Sequence, residues 1–267
     1  MEFDYLDVID KRGLINNLFV LKFSKDSIPF KTQVLPLGLP ALIYVFNKQE
    51  TEIKGCKNSL KGLHLFGQFY GAYNYNINEA GLNLGVNFKP TSIYKILKND
   101  ISLFTDKHIL LSKINTELSK KITPIFIQNK NNIKAFETGI INFIDSLDIK
   151  QDKDVHFIDI AINHILEKEG LLKANDLLTI MPFSQKSLEV KFKKTIGLTP
   201  GKYIKMIRFN QLMKKYQNKK INLQDLLIMY NYYDQSHFTR DFQLFMSQSP
   251  KDFFKKDYPL LKKYLFE

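Results

Sequence analysis

Cysteine is almost absent. Cys56 stands alone among 267 residues, which excludes an internal disulfide and any metal site built from several thiolates. Glycine (12) and proline (9) are sparse beside 44% hydrophobic residues, so neither a collagen-like fibre nor a wholly disordered chain fits. The uncharged run Val34–Asn47 is 14 residues long and broken by Pro36 and Pro40, too short to span a bilayer. The opening Met1-Glu2-Phe3-Asp4 is acidic and lacks the basic-then-apolar layout of an export signal. A cytoplasmic chain with no membrane partner is expected. Arginine is scarce too: Arg12, Arg208 and Arg240 are 3 of 39 basic residues.

The charge that is present leans one way. Thirty-nine basic against 27 acidic residues leave +12, with a pI near 9.4, a balance that favours polyanionic partners. Lysine accompanies abundant Ile, Asn, Phe and Tyr, the bias of an AT-rich genome, so part of the excess is a codon effect. Its distribution is more telling. From Val190 to Gln224 there is no Asp or Glu, while Lys191, Lys193, Lys194, Lys202, Lys205, Arg208, Lys214, Lys215, Lys219 and Lys220 fall there. Solvated helices normally interleave both signs. An uncompensated stretch is the footprint of a phosphate-binding surface.

Hydrophobic periodicity divides the chain. Asn17–Phe23, Lys31–Leu35, Ala41–Phe46, His64–Ile77 and Leu82–Phe88 are rich in aromatic and branched residues and punctuated by glycine, predicting an antiparallel sandwich or barrel. Helical spacing follows Pro90, over Thr91–Asn99 and Asn115–Ile122, with Pro124 separating the next helix. In that helix, about Asn131–Leu147, the residues Ile133, Phe136, Ile140, Phe143 and Leu147 recur at heptad steps. They are a candidate dimer seam, although a helix packed on a sheet has the same pattern. The polar run Lys150–Asp154 reads as a linker. Beyond it seven short helices are predicted, one stopping at Gly170, one starting at Thr199-Pro200 and one at Asn222. The expected fold class is α+β: a β-rich domain with trailing helices over 1–150, then an all-α tandem helix-turn-helix domain over 151–267.

The second half repeats itself at an offset of 50. Leu177 falls on Leu227, Leu178 on Ile228, Phe183 on Tyr233, Gln185 on Gln235 and Leu188 on Phe238. Phe192 falls on Phe242, Thr199-Pro200 on Ser249-Pro250, and Tyr203 on Phe253. The matched positions are apolar or capping, as two copies of one supersecondary unit require. Short helix, tight turn, second helix and a Ser/Thr-Pro start is a helix-turn-helix layout, whose second helix enters the major groove. In the second copy Asn231 supplies the left-handed residue that a sharp turn needs. Two units on one connecting helix would reach successive major grooves about 34 Å apart.

Leu188–Tyr203, Tyr233–Phe242 and Ser249–Phe253 together resemble the AraC/XylS family of transcription regulators: first recognition helix and linker helix, second recognition helix, and closing Ser-Pro helix. The resemblance covers about Val155–Phe254. More weakly, Pro36-Leu37-Gly38 and Gly85–Pro90 resemble the β-rich sensor domain of one branch, with Leu37 where that branch usually has Asp. The resemblance implies double-stranded DNA and RNA polymerase as partners, and activation as the direction of control. It places Lys186, Glu189 and Val190 at the base-facing positions of the first copy, and Gln235, Ser236, His237 and Arg240 at those of the second. Arg pairs bidentately with guanine and Gln with adenine, whereas Val190 offers only an apolar contact. The second copy is therefore expected to be the more selective. Lys191, Lys193, Lys194, Lys202 and Lys205 are assigned to phosphate, which sets register without reading sequence. Arg208 lies mid-helix, where a core carboxylate is an equal alternative.

No catalytic constellation accompanies these features. His64, His108, His156, His164 and His237 form no metal-binding spacing, and Gly67–Gly71 lacks the Lys-Ser/Thr of a phosphate loop. Cys56, between Lys54 and Lys57, is read as an ordinary surface thiol, although flanking cations can lower a thiol pKa. Neither enzymatic activity nor a cofactor is expected. Phe66, Phe69, Tyr70, Tyr73, Tyr75, Phe88 and Tyr94 are candidates for lining a small-molecule effector pocket, with plain core packing as the alternative. A competing reading is a small-molecule-binding protein whose basic half docks on nucleic acid without sequence preference.

Overall fold

Side chains alternate faces along a strand, and this period sorts the N-terminal half into two layers. In the computed structural model, which describes residues 1–217, 223–253 and 255, Leu18 and Val20 of β2 (Ile15–Phe23) face one layer, while Phe19, Leu21 and Phe23 face the other. Likewise Leu84, Val86 and Phe88 of β7 (Gly81–Phe88) join the first layer, and Asn83 and Asn87 border a cavity on the second side. The remaining strands are β1 (Glu2–Asp7), β3 (Phe30–Val34), β4 (Ala41–Ile53), β5 (Cys56–Phe66), β6 (Tyr73–Ile77) and β8 (His108–Leu110). All pairings are antiparallel, in the order β1-β2-β7-β4-β5-β8. A register shift between Val45 and Gln49 divides β4, which pairs β7 before it and β6 after it. Such a bulge bends the strand, and β3 then joins through β6.

Helices α1 (Ser92–Leu97), α2 (Leu111–Ile114), α3 (Thr116–Gln128) and α4 (Ile133–Ser146) cover the first layer. Three expectations are corrected here. His64–Ile77 is not one strand, because residues 67–72 form a loop between β5 and β6. A Cβ on Gly67 would meet the Phe104 carbonyl oxygen at 1.9 Å, so the chain passes too close to Phe104 for a side chain. Pro124 does not separate helices but lies inside α3. Lys120, whose carbonyl loses its partner there, is exposed, so water can replace the missing bond. Of the heptad residues, Phe136 and Ile140 are fully buried in this chain's own core, the Phe136 ring 5.0 Å from that of Phe126 on α3, so these two positions proposed for a dimer seam are filled from within the chain. Ile133, Phe143 and Leu147 pack partly buried against the same core.

Among the described residues the C-terminal half comprises six α-helices and a 3-10 helix: α5 (Lys153–Glu167), the 3-10 turn Ala174–Thr179, α6 (Gln185–Ile196), α7 (Pro200–Gln217), α8 (Leu223–Met229), α9 (Gln235–Met246) and α10 (Pro250–Phe253). The helix start expected at Asn222, together with Lys219 and Lys220, lies outside the described residues. Gly170 has φ +73° after α5, as a C-cap requires, and α7 passes so near that a Cβ there would lie 2.6 Å from the Arg208 amide nitrogen. One core joins these helices and also takes in Leu35 from the strand half.

The two halves meet through short segments of the sheet domain. Asn210 Nδ2 donates to the Pro36 carbonyl (2.9 Å), and the Ala72 amide to the Phe245 carbonyl (2.7 Å). Thr105 donates to the Gly197 carbonyl (2.8 Å), and Gln248 Nε2 to Gln33 Oε1 (2.7 Å). Gly38, at φ +82°, lets Tyr203 and Met206 of α7 pack directly on the Pro36-Leu37-Gly38 turn.

Candidate nucleic-acid interface

Helices α6 and α9 are each 12 residues long and start 50 residues apart. Both open on a side-chain cap: Ser184 accepts from the Ser187 amide (3.3 Å), and Asp234 from the His237 amide (2.6 Å). Leu188 and Phe192 in one, and Phe238 and Phe242 in the other, occupy equivalent buried positions. Leu177 and Leu227 are buried before each turn, and Tyr203 and Phe253 after each Ser/Thr-Pro start. The repeat is thus a repeat of core contacts. It loosens at the surface, where Tyr233 is 94% exposed opposite a half-buried Phe183. The second turn holds Asn231 at φ +56°, the left-handed conformation that Asn tolerates.

The base-facing candidates share the outer face of these helices. Lys186, Glu189 and Val190 are exposed on α6; Gln235, Ser236 and Arg240 are exposed on α9. His237 is half-buried, its ring edge-on to Tyr232 at 5.0 Å. Gln185 Nε2 lies 3.5 Å from Glu189 Oε1, which fixes that carboxylate on the surface of α6.

The basic stretch is less bare in space than in sequence. Lys191 pairs with Asp154 and lies over the Phe183 ring. Lys205 lies 2.5 Å from the buried Asp241 carboxylate, and Arg208 lies 3.8 Å from the same group. Lys215 pairs with Glu169 at 2.7 Å, and Tyr230 donates to the same oxygen at 2.5 Å. Burial works to raise the Glu169 pKa, but the hydrogen bonds from Lys215 and Tyr230 outweigh it and hold the carboxyl below its ordinary value. Burial and the Glu169 hydrogen bond push the Tyr230 hydroxyl up to about 12. Lys194 lies over Tyr94 and Lys202 over Tyr70. Lys193 and Lys214 are exposed and pair with no acid among the described residues. Of the five lysines assigned to phosphate, Lys193, Lys194 and Lys202 keep their charge available, while Lys191 and Lys205 have carboxylate partners. Asp154, Glu169 and Asp241 carry no sequence signal at short range, because each acts across tens of residues or from within a helix core.

A helix-turn-helix domain model matches residues 177–256, and a model described as a domain of unknown function (DUF6597) matches residues 12–110. The probable transcription factor PqrA of Proteus vulgaris is 30% identical over 100 residues, spanning 35% of this chain and 82% of that protein. The chain belongs to the AraC/XylS family of transcription regulators. Solved structures with similarity to this AraC-family chain include apo ToxT of Vibrio cholerae (11% identity, 91% of this chain and 97% of that one, TM-score 0.47). They also include ToxT with an unsaturated fatty acid bound (10% identity, 88% and 92%, TM-score 0.44) and the AraC-like activator CuxR (12% identity, 80% and 86%, TM-score 0.26). As a family member the chain is a transcription regulator with a helix-turn-helix DNA-binding domain. No helix among the described residues is long and apolar enough to cross a membrane, and no cluster of His, Cys, Asp or Glu there is fit to hold a metal ion.

The sheet domain of this regulator has a partly open cavity of about 140 Å³. Of the aromatic candidates, Phe66, Phe69, Tyr73 and Tyr75 line it. Tyr70 lies instead against Phe245 of α9, with ring centroids 5.3 Å apart. Phe88 faces the helix-covered layer, and Tyr94 sits on α1 beneath Lys98 and Lys194. Aromatic counting gives no sign of the polar residues inside. Asn83 donates to Gln49 and Tyr75 (2.9 Å each), Gln49 donates back to Asn83 (3.1 Å), and Tyr75 donates to Gln49. The period-2 pattern of β4 and β7 marks Gln49 and Asn83 as inward, which is the signal available for them. His108 lies between the rings of Phe66, Phe69 and Tyr73, with Nδ1 3.0 Å from the Thr51 hydroxyl. Burial, aided by His64, pushes its pKa down to about 3.

Proposed function

We propose that this regulator reads two successive major grooves, α6 in one and α9 in the other, and that its sheet domain is an effector sensor. The observation that supports this best is the pair of equal helices 50 residues apart, each capped, each anchored by the same buried positions, and each exposing its base-facing candidates apart from the half-buried His237. A rigid connecting helix such as α7 suits a fixed spacing between half-sites, about one helical turn of DNA. The division between sensor and DNA-binding parts falls at 150/151, ahead of α5. Activation through RNA polymerase belongs to the same reading. The competing idea of non-specific docking loses force because Asp154, Glu169 and Asp241 neutralise part of the basic stretch. Counterion release scales with the phosphates contacted, so fewer available cations leave more of the affinity to base contacts.

Selection from random duplex DNA by the full chain at about physiological salt tests the proposal. The expected result is enrichment of two short blocks about one helical turn apart. Salt-sensitive binding that enriches nothing would overturn it in favour of non-specific docking. The segments 33–39 and 66–73 support the sensor role, because they wall the cavity and also carry the contacts of Pro36, Gln68 and Ala72 with the DNA-binding half.

A further inference from the structure

The lining of the cavity has a distinctive chemistry. Its walls are aromatic and aliphatic, Phe19, Phe66, Phe69 and Tyr73 among them, and no charged side chain among the described residues lines it. An ion entering such a site would lose part of its hydration without gaining a counter-charge, which costs more than for a neutral molecule of the same size. A cavity of about 150 Å³ accommodates a benzene-sized molecule, and this one is close to that volume. Aromatic walls favour an aromatic guest, through offset or edge-to-face contacts.

Several polar groups at the cavity have hydrogen-bond partners within the protein. Asn83 and Tyr75 are closed into the triad with Gln49, Asn87 donates to Asn17 (2.8 Å), and Gln33 accepts from Gln248. Gln68 is 1% exposed, and its Oε1 has no hydrogen-bond partner. The orientation of that amide is set by its other end: Nε2 donates to the Phe69 carbonyl (3.3 Å) and approaches Met206 Sδ (3.9 Å). Turning the amide over would set oxygen against oxygen at Phe69. A buried carbonyl oxygen left without a donor is unfavourable, so a guest that donates to it is favoured over one that cannot.

We infer that the cavity binds a neutral, mainly apolar single-ring molecule that donates one hydrogen bond to Gln68 Oε1, a compound of the phenol type. The inference rests on the sensor reading of the sheet domain. It also gives the effector a direct hold on the DNA-binding half, since the same amide touches Met206 of α7.

Calorimetric titration of the full chain with phenol, anisole, toluene, benzoate and benzylammonium tests it. Phenol is expected to bind about three- to tenfold more tightly than anisole or toluene, the worth of one hydrogen bond, and the two ions are expected not to bind. In Gln68→Met, phenol should fall to the level of toluene while toluene is unchanged. The comparison of phenol with anisole, which keeps the oxygen and lacks the donor, makes the same discrimination in the unmodified protein should that variant misfold. Equal affinity for phenol, anisole and toluene would overturn the role of Gln68. Preferential binding of benzoate or benzylammonium would overturn the ligand class and leave the sensor reading standing. Binding of none of the five would overturn both, leaving the DNA-binding reading untouched.

Discussion

Lys205 Nζ lies 2.5 Å from the Asp241 carboxylate, joining the connecting helix α7 to the second recognition helix α9. Asp241 is buried on α9, and Tyr232 also donates to it at 3.2 Å. The residue assigned by position to a phosphate therefore has a partner inside the protein, and the link orients α9 on α7. Asp241→Ala should cost about 3 kcal/mol, the lower end for breaking a buried pair, because Lys205 and Arg208 keep some access to water. Urea unfolding measures this.

The same pairing separates the lysines by their effect on salt dependence. Lys193→Gln should reduce the log-log slope of DNA affinity against salt by about 0.9, as loss of one phosphate contact does. Lys205→Gln should leave the slope unchanged. Equal slopes for the two variants would show that Lys205 leaves Asp241 for phosphate on binding.

The two recognition helices should differ in selectivity. Arg240→Ala is expected to cost about 1–3 kcal/mol on the selected site and to relax preference at one base pair. Val190→Ala should change affinity by less than about 0.5 kcal/mol, as for an exposed substitution outside a special contact. Binding to sites mutated base by base checks both. Equal sensitivity in the two half-sites would count against the asymmetry.

His108 predicts an acid-sensitive sheet domain. Its pKa is about 3 when folded, against about 6.5 in an unfolded chain. Between these values the unfolded state binds a proton that the folded state refuses, so stability rises with pH. The contribution is complete above about pH 6.5 and is lost on acidification at up to about 1.4 kcal/mol per pH unit. His64, lowered chiefly by its own burial, acts in the same direction. Denaturation of the protein and of His108→Gln between pH 4.5 and 7 should show the shallower slope in the variant.

Two glycines should respond oppositely to alanine. Gly67→Ala sets a methyl against the Phe104 carbonyl and should destabilise by about 1–3 kcal/mol or more. Gly201 lies in the first turn of α7 with nothing within 4 Å of a Cβ. Gly201→Ala should stabilise by about 0.4–1 kcal/mol. Thermal melts of both variants decide this.

Local pattern carried much of the architecture. The strands β2, β3 and β7 follow from clusters of aromatic and branched residues, and the twofold helix-turn-helix from buried positions repeating at one offset. Strand β1 escaped notice because Glu2–Asp7 interleaves acids with its apolar residues. The loop at residues 67–72 escaped because its aromatics read as strand, whereas Asp106, accepting from the Tyr70 amide at 2.8 Å, holds it in place.

By itself the sequence determined which helices repeat, which faces they bury and which residues they leave outside, because those depend on period and spacing alone. It also determined the excess of positive charge. Only the tertiary structure decided where that charge is available, since Asp154, Glu169 and Asp241 reach the acid-free stretch from other segments and neutralise part of it. It likewise decided that Phe136 and Ile140 are buried in this chain's own core, and that Gln68, unremarkable in sequence, has an unmatched acceptor at a cavity wall. Coulomb forces and hydrogen bonds act over distance in space, and a linear pattern does not record which distant residues the fold brings within that range.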